Sequence, residues 1–396
     1  MNNKVIAIII VAIVAVAGVA TFVLLSQEKK DVQFDDSAFN VIGRVNSEGS
    51  GLYIDADIIE PGTEMPVRAS NGTPFFGAGY KLSEANKAAW GGLVFGDPGV
   101  SSIQHTQLAS IANSVGLKIS MYQDGQSTSD DTLYYITNLS NYGVITANTI
   151  IDGGIIWEPQ FQRVVQDIEG RFVQLALTND VFAGHTCCII AANHNWLNAN
   201  SDTTVKFLCG YINAVNFMTK AISEGGEDYD ELIAIARNAT SGLTDEVIEE
   251  SMANITYLYA DTNDGSLSKL KTDIASLATD LKDLGIITSK KFNDATAFSN
   301  AFVDDQYMKK AVASEVDKNG NASVKVAVIL GDIHQLAIHV GIAKGYFAEY
   351  GLTVTLQTGS NGGDISTLLL SKDVQIGFLG APPATSNTIN GDHILV

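Results

Sequence analysis

The feature that most restricts the fold is an unbroken alternation of strands and helices from residue 324 to residue 396. Apolar strand segments are separated by helical segments, with strands at 324–330, 352–357, 374–379 and 393–396 and helices at 334–346, 362–371 and 382–389. Such alternation predicts a mostly parallel sheet covered by helices on both faces. We therefore expect an α/β fold, although we also expect the last strand to be interrupted by the chain end.

The N-terminal region predicts a membrane segment. Residues 5–25 carry no charge and are flanked by Lys4 and by Gln27-Glu28-Lys29-Lys30, and a helix of that length spans a bilayer. A cleavable signal peptide is the alternative, because Ala15-Val16-Ala17 resembles a processing site, but the apolar run continues beyond it. We expect an uncleaved single-pass anchor at the cell membrane, with the soluble domain outside the cytoplasm.

Charge and cysteine content exclude several classes of function. The chain has 44 acidic and 24 basic residues and a net charge of −20, which argues against nucleic acid as a partner because such proteins need a basic surface. Cys187, Cys188 and Cys209 form neither a disulfide framework nor a zinc-binding spacing. We expect buried free thiols.

The middle of the chain first alternates strands and helices and then becomes helical. Strands are predicted at 93–95, 118–122, 153–159 and 187–192, and helices from about 103 to 116, at 132–142, and at 203–223, 228–238, 244–254 and 266–284. Residues 313–323 are polar, contain Asn-Gly and predict a linker.

These segments carry a family resemblance. "VKVAVILGDIHQLAIHVGIAKGYFAEYGLTVTL" and "DVQIGFLGAPPATSNTINGDHILV" resemble the first lobe of substrate-binding proteins of ABC importers, of the nitrate/sulfonate/taurine/bicarbonate and thiamine-precursor type. "DPGVSSIQHTQL", "IIWEPQ" and "GHTCCII" resemble a helix start, a hinge strand and a return strand of the same family. The resemblance implies a two-lobed type II periplasmic-binding-protein fold with the ligand in the cleft between the lobes.

The order of the resembling segments is unusual, because the family's N-terminal part stands last. Joining Val396 to Ile42 gives "HILVIGRV", which reads as one strand. We expect a circular permutation, while domain swapping between chains and a truncated tandem gene remain open. The expected division is an anchor or signal segment with its tether (1–30), the remainder of lobe one (31–95), lobe two (96–190), the return to lobe one with C-terminal helices (191–312), the linker (313–323) and the family's N-terminal part of lobe one (324–396).

Candidate ligand contacts fall where strands end and helices begin, since ligands of open α/β sheets bind at the carboxyl ends of the strands. Three helix starts together predict an anion site, and they contain Asp332, His334, Gln335, Gly380, Ala381, Pro382, Ser101, Ser102, Gln104 and His105. The resemblance adds Trp157 and Glu158 as the hinge-strand pair. His185 is a further candidate contact, although its spacing to the cysteines fits no established metal site.

The resemblance implies a solute receptor that closes about a hinge on a small anionic or zwitterionic solute and delivers it to an ABC permease with a separate ATPase subunit. We expect no enzymatic activity, no cofactor and no metal. Two alternatives remain: a binding protein or enzyme for a thiamine-type pyrimidine precursor, and a surface interaction protein that has lost solute binding. The sequence does not identify the ligand, because Glu158 suits an amine or a neutral heterocycle better than a simple anion.

Overall fold

The computed structural model describes residues 32–58, 90–167, 169–240, 242–313 and 316–396. The predicted anchor at residues 5–25 lies outside these ranges. Within them, no helix combines the length and the apolar character needed to cross a membrane.

The described chain contains fifteen strands, which we number in chain order. They are β1 Gln33–Phe34, β2 Phe39–Arg44, β3 Asn46–Glu48, β4 Ser50–Asp55, β5 Val94–Gly96, β6 Lys118–Met121, β7 Thr132–Ile136, β8 Gly153–Trp157, β9 Phe172–Leu177, β10 Cys188–Asn193, β11 Ile255–Tyr257, β12 Ala322–Ile329, β13 Leu352–Gly359, β14 Ile376–Gly380 and β15 Ile394–Leu395.

The α-helices of the described chain are numbered in the same way. They are α1 Ile103–Ser114, α2 Tyr142–Thr146, α3 Gln160–Val165, α4 Thr178–Val181, α5 His194–Ala199, α6 Ser201–Glu224, α7 Glu227–Thr240, α8 Asp245–Ala253, α9 Ser268–Asp283, α10 Ala295–Phe302, α11 Gln306–Val312, α12 Leu336–Ala343, α13 Gly362–Leu370 and α14 Ala381–Asn390. Short 3₁₀ helices lie at Ala56–Ile58, Ile333–Gln335 and Ala348–Tyr350.

The first lobe is built on a five-stranded sheet in the order β13-β12-β14-β10-β2. The three strands contributed by residues 322–380 are parallel to one another, whereas β10 is antiparallel to both β14 and β2. The central strands are buried apolar runs, as a sheet covered on both faces requires. Helices α6 to α12 contribute side chains to the hydrophobic core around this sheet.

The second lobe is built on a six-stranded sheet in the order β6-β7-β5-β8-β4-β9. Separate hydrophobic clusters cover its two faces. Strands β4 and β5 belong to this sheet, whereas residues 31–95 were expected to belong to the first lobe. The predicted helix at 132–142 was wrong: Thr132–Ile136 forms β7 and only Tyr142–Thr146 is helical, because the run Thr-Leu-Tyr-Tyr-Ile has high β-propensity.

In the described part of the chain, two adjacent segments connect the lobes. The outgoing segment passes from β3 to β4 at Gly49, and the return segment runs from α4 to β10. They lie side by side, with an antiparallel bridge between Ser47 and Thr186. Two close crossovers form a narrow connection, which is the geometry of a hinge. This mixed α/β arrangement fits the periplasmic-binding-protein fold.

The last strand, β15, pairs with β1 rather than continuing into β2. The pairing is antiparallel, with Gln33 opposite Leu395 and Phe34 opposite Ile394, and His393 Nδ1 lies 2.7 Å from an Asp35 carboxylate oxygen. Residues 322–396 therefore supply strands and helices to the first lobe.

Candidate functional site

A cavity of about 400 Å³ lies between the two lobes. It is bounded by the starts of α1, α13 and α14, the ends of β7, β8 and β12, and the start of β10. Its lining residues are Pro98, Gly99, Val100, Ser101, Ser102, Ile103, Gln104, Thr137, Asn138, Ser140, Trp157, Cys187, Cys188, Ile329, Asp332, Asn361, Gly362, Gly363, Gly380, Pro382 and Pro383.

Helix α1 presents its N-terminus to the cavity. Ser102 is its N-cap, and the Ser102 hydroxyl accepts a hydrogen bond from His105 N at 3.1 Å. Capping leaves the earlier N–H groups of the first turn directed out of the helix, where the helix dipole favours negative charge. Gln104 in the same turn lines the cavity and donates a hydrogen bond from Nε2 to Ser50 Oγ at 2.8 Å. This bond connects α1 to the start of β4.

Helix α13 presents a second N-terminus to the cavity, and this helix start was not among the three predicted ones. Gly362 and Gly363 line the cavity, and Asn361 caps the helix by accepting from Gly363 N and Asp364 N. A Cβ on Gly362 would lie 2.7 Å from Pro383, so a glycine is required where the helix passes α14. The "SNGGD" motif, a cap residue followed by two glycines after a strand, was the available signal.

Helix α14 also starts at the cavity but offers no free N–H in its first three positions. Ala381 N donates to the Cys187 carbonyl oxygen at 2.9 Å. The next two residues, Pro382 and Pro383, carry no N–H. The predicted contribution of this helix to an anion site is therefore reduced to its dipole and to the surface of its prolines.

Asp332 caps its own turn and pairs with a histidine. Its Oδ1 accepts from His334 N at 3.0 Å and lies 2.7 Å from His334 Nδ1. The other ring nitrogen, Nε2, lies 2.8 Å from the Gly49 carbonyl oxygen. Since a carbonyl oxygen can only accept, and the carboxylate accepts at Nδ1, both ring nitrogens donate and the ring is an imidazolium. Burial opposes this charge, but Asp332 with Cys187 offsets it and raises the pKa of His334 to about 9.

Glu158 lies behind the cavity wall and is fully buried. It accepts hydrogen bonds from Asn254 Nδ2 at 2.9 Å and from Ser251 Oγ and Gln162 N at 3.2 Å. Burial raises the pKa of Glu158 to about 7, against these hydrogen bonds and the charge of His334. Because Glu158 belongs to the second lobe and its partners Ser251 and Asn254 to the first, this carboxyl joins the lobes rather than facing the cavity.

Trp157 and the cysteine pair complete the lining. Trp157, at the end of β8, is partly exposed in the cavity. Cys187 and Cys188 are free and buried, as expected, with their sulfur atoms 3.8 Å apart. The hydrogen bond from the Cys188 thiol, supported by the charge of His334, lowers the pKa of the Cys187 thiol.

The structure brings about half of the predicted site residues to the cavity. Asp332, Gly380, Pro382, Ser101, Ser102, Gln104 and Trp157 line it, whereas His334, Gln335, Ala381, His105, Glu158 and His185 do not. Most of the second group are buried partners behind the wall. His105 Nδ1 lies 2.7 Å from Asp97 Oδ2, Gln335 bridges Ile329 N and the Phe378 carbonyl oxygen, and His185 lies at a separate groove.

The lining contains no lysine, arginine or histidine, and Asp332 is its one carboxylate among the described residues. The polar groups are hydroxyls, side-chain amides, thiols and backbone groups. Such a lining suits a small polar ligand that backbone N–H groups recognise. Within the described residues, no group of three or more His, Cys, Asp or Glu side chains has the arrangement of a metal site.

Comparison with known proteins gives one match to a family. A family model described as "NMT1/THI5 like" matches residues 333–395, the part of the chain that contains α13, α14 and both cavity-lining helix starts of the first lobe. No curated protein matches the chain. The family match supports a relation of this segment to the nitrate/sulfonate and thiamine-precursor binding proteins, the family whose resemblance the sequence carries.

Proposed function

We propose that this protein is the solute-binding receptor of an ABC importer and captures a small anionic or zwitterionic solute by closure of its two lobes. The observation that carries the proposal is the cavity between the lobes, which the N-termini of α1 and α13 both line and to which the described residues contribute no basic side chain. N–H groups and helix dipoles bind oxyanions in this way. Capture by closure involves no bond chemistry, so we propose no enzymatic activity.

The solute class follows from the charges of the lining. A sulfonate fits the two helix N-termini. Asp332 pairs with the His334 imidazolium through Oδ1 but is still the one carboxylate among the described lining residues that an ammonium can approach. A zwitterion such as taurine uses both features, whereas nitrate or bicarbonate uses only the first. We therefore propose the sulfonate class, with taurine as the first candidate.

A pyrimidine of the thiamine-precursor type is the second candidate. Trp157 offers a partly exposed ring for stacking, and Thr137, Asn138 and Ser140 offer neutral hydrogen-bonding groups nearby. A neutral heterocycle would leave the helix N-termini without a charged partner. We place it second for that reason.

We further propose that the chain is a circular permutation of this family. The segment that matches the family model lies at 333–395 and supplies strands to the same sheet as β2 and β10. The proposed setting is a membrane anchor at residues 5–25 that holds the lobes outside the cytoplasm, beside a permease with a separate ATPase subunit.

Thermal unfolding of the full chain in mild detergent tests the proposal. Taurine, methanesulfonate, nitrate, bicarbonate and a 4-aminopyrimidine are added separately, and light scattering gives the size. A solute at about 100 times its dissociation constant adds about 2.7 kcal/mol, a shift of several degrees. A stabilised monomer supports a permuted receptor, a dimer indicates swapping, and no shift with any solute contradicts the proposed function.

A further inference from the structure

A second groove, of about 280 Å³, lies between the lobes beside the cavity. Helix α1 separates the two: Gln104 lines the cavity, and Gln107, one turn further along, lines the groove. The opposite wall is α9 of the first lobe, and the floor is formed by the return segment. The groove lining is Ile103, Thr106, Gln107, Ser110, Phe182, His185, Thr186, Asp273, Ile274, Ser276, Leu277, Asp280 and Ala381.

The groove contains buried polar groups without partners. The side chain of Gln107 is 4% exposed, and both its amide nitrogen and its amide oxygen lack a hydrogen bond within the described structure. Nε2 of His185 is likewise buried and unpartnered there. Unpaired buried groups of this kind are costly, by about 1–3 kcal/mol each, so a ligand that pairs with them gains that free energy on binding.

His185 presents a lone pair to the groove. Its Nδ1 lies 2.9 Å from the Phe182 carbonyl oxygen, which can only accept, so Nδ1 carries the proton. Burial lowers the pKa of His185 to about 4, and the ring is therefore neutral near pH 7 with Nε2 as an acceptor. An occupant of the floor must bring a hydrogen-bond donor to this nitrogen.

The two carboxylates of the groove lie at different depths. Asp273 lies at the floor, where its Oδ2 accepts hydrogen bonds from Thr186 Oγ1 and from Lys269 Nζ, both at 2.5 Å, and the lysine compensates its charge. Asp280, two turns further along α9, forms no salt bridge in the described part of the chain and is exposed. Between Asp280 at the mouth and the floor, α9 contributes the apolar side chains of Ile274 and Leu277. The order from outside to inside is therefore carboxylate, apolar wall, acceptor.

We propose that this groove binds a short aliphatic diamine. One ammonium pairs with Asp280, the alkyl chain lies along the apolar wall, and the second nitrogen donates to His185 Nε2 and the Gln107 amide oxygen. The occupant contacts both lobes, so it is a candidate effector of lobe closure. This site is independent of the proposed solute in the cavity.

Calorimetric titration of 1,4-diaminobutane into the full chain in detergent tests the site. We expect saturable binding that weakens about ten-fold in Gln107→Met and in Asp280→Asn, the loss of one charge-assisted or buried hydrogen bond. Glu250→Gln is the matched control for the acidic surface, because Glu250 is exposed on α8 and lines neither cavity. Butylamine, which lacks the second donor, should bind about ten-fold more weakly than the diamine.

Two outcomes overturn the site. One is the absence of binding, and the other is equal binding by wild type and all three variants, which indicates diffuse attraction to a chain of net charge −20. Gln107→Met removes unpaired polar atoms and should unfold at the same temperature as wild type or higher. If Gln107→Met fails to fold, the affinity of Asp280→Asn for 1,4-diaminobutane decides whether the site exists, because Asp280 is exposed and its substitution should leave the fold intact.

Discussion

His334 donates a hydrogen bond from Nε2 to the carbonyl oxygen of Gly49 at 2.8 Å. The two residues are far apart in the chain, and Gly49 lies where the chain crosses between the lobes. The same carbonyl oxygen accepts from Glu158 N at 2.9 Å. The carbonyl oxygen of Gly49 therefore connects the crossover with residues 333–395, which match the family model, and with the residue that follows β8.

Gly49→Ala tests this hinge contact. Gly49 has a φ of +90°, and a Cβ there would lie 2.3 Å from His334 Nε2. We expect a loss of more than about 1 kcal/mol of unfolding free energy, from backbone strain and from displacement of the imidazolium. Gly125→Ala is the matched control, because Gly125 has a φ of +75° and nothing within 4 Å. If urea unfolding shows the same loss of unfolding free energy in both variants, the loss at Gly49 comes from backbone strain alone and not from the contact with His334.

His334→Gln should destabilise the fold in a pH-dependent way. The pKa of His334 is raised from 6.5 to about 9 in the folded chain, so its stabilising contribution is full below the unfolded pKa and is lost as pH rises through the folded pKa. The difference in unfolding free energy between wild type and variant should shrink by about 3 kcal/mol from pH 6 to pH 10. A difference that stays constant with pH would show that His334 is not charged.

His393→Gln is the control for that measurement. His393 pairs with Asp35 near the surface, where solvent screens the pair. His393→Gln should change the unfolding free energy little at any pH between 6 and 10. A pH dependence that appears in both variants would therefore come from groups other than His334.

The cysteines report whether a solute occupies the cavity. Cys187 and Cys188 line it, whereas Cys209 is buried elsewhere and bonds to the Ala311 carbonyl oxygen. We expect a stabilising solute to slow iodoacetamide alkylation of Cys187 and Cys188 several-fold more than that of Cys209, with the rates read by mass spectrometry. Equal protection at all three thiols would instead indicate global stabilisation without local occupancy.

The pairing of β1 with β15 defines a test of the permutation. Its register places Val32 opposite Val396, so an Asn-Gly insertion between them closes a two-residue β-hairpin. A gene that starts at Ala322, passes Val396-Asn-Gly-Val32 and ends at Ala313 should give a soluble monomer. Its melting temperature should lie within several degrees of that of the unpermuted chain. An insoluble or unfolded product would contradict closure of residues 322–396 within one chain.

Periodicity predicted the α/β architecture well, because its signals are local. Strands β12 to β14 and their helices lie close to the predicted ranges, and the helix that starts after Ser102 is confirmed. The failure at 132–142 came from a segment whose β-branched and aromatic residues were given too little weight. The pairing of β15 with β1 depends on two chain segments meeting in space, which no local pattern contains.

The loops that surround the cavity were predicted from the sequence, but the hydrogen bonds of their side chains were not. Position at strand ends correctly indicated which loops meet, but not which side chains turn inward: His334 and Glu158 have internal partners that withdraw them from the cavity. Pro382 and Pro383 are evident in the sequence. Their lack of N–H donors affects ligand binding only because the start of α14 lines the cavity, which the sequence does not show. Burial and partner choice are tertiary properties, and a single sequence does not specify them.

The most direct test of solute capture is calorimetric titration of the five proposed solutes into the full chain, with Trp157→Ala and Trp196→Ala alongside. Trp157 lines the cavity, whereas Trp196, also partly exposed, lies on α5 outside it. We expect one-to-one binding of taurine or a related sulfonate, weakened about ten-fold or more by Trp157→Ala and unchanged by Trp196→Ala. Binding of none of the five solutes, or equal affinity in both variants, would contradict it.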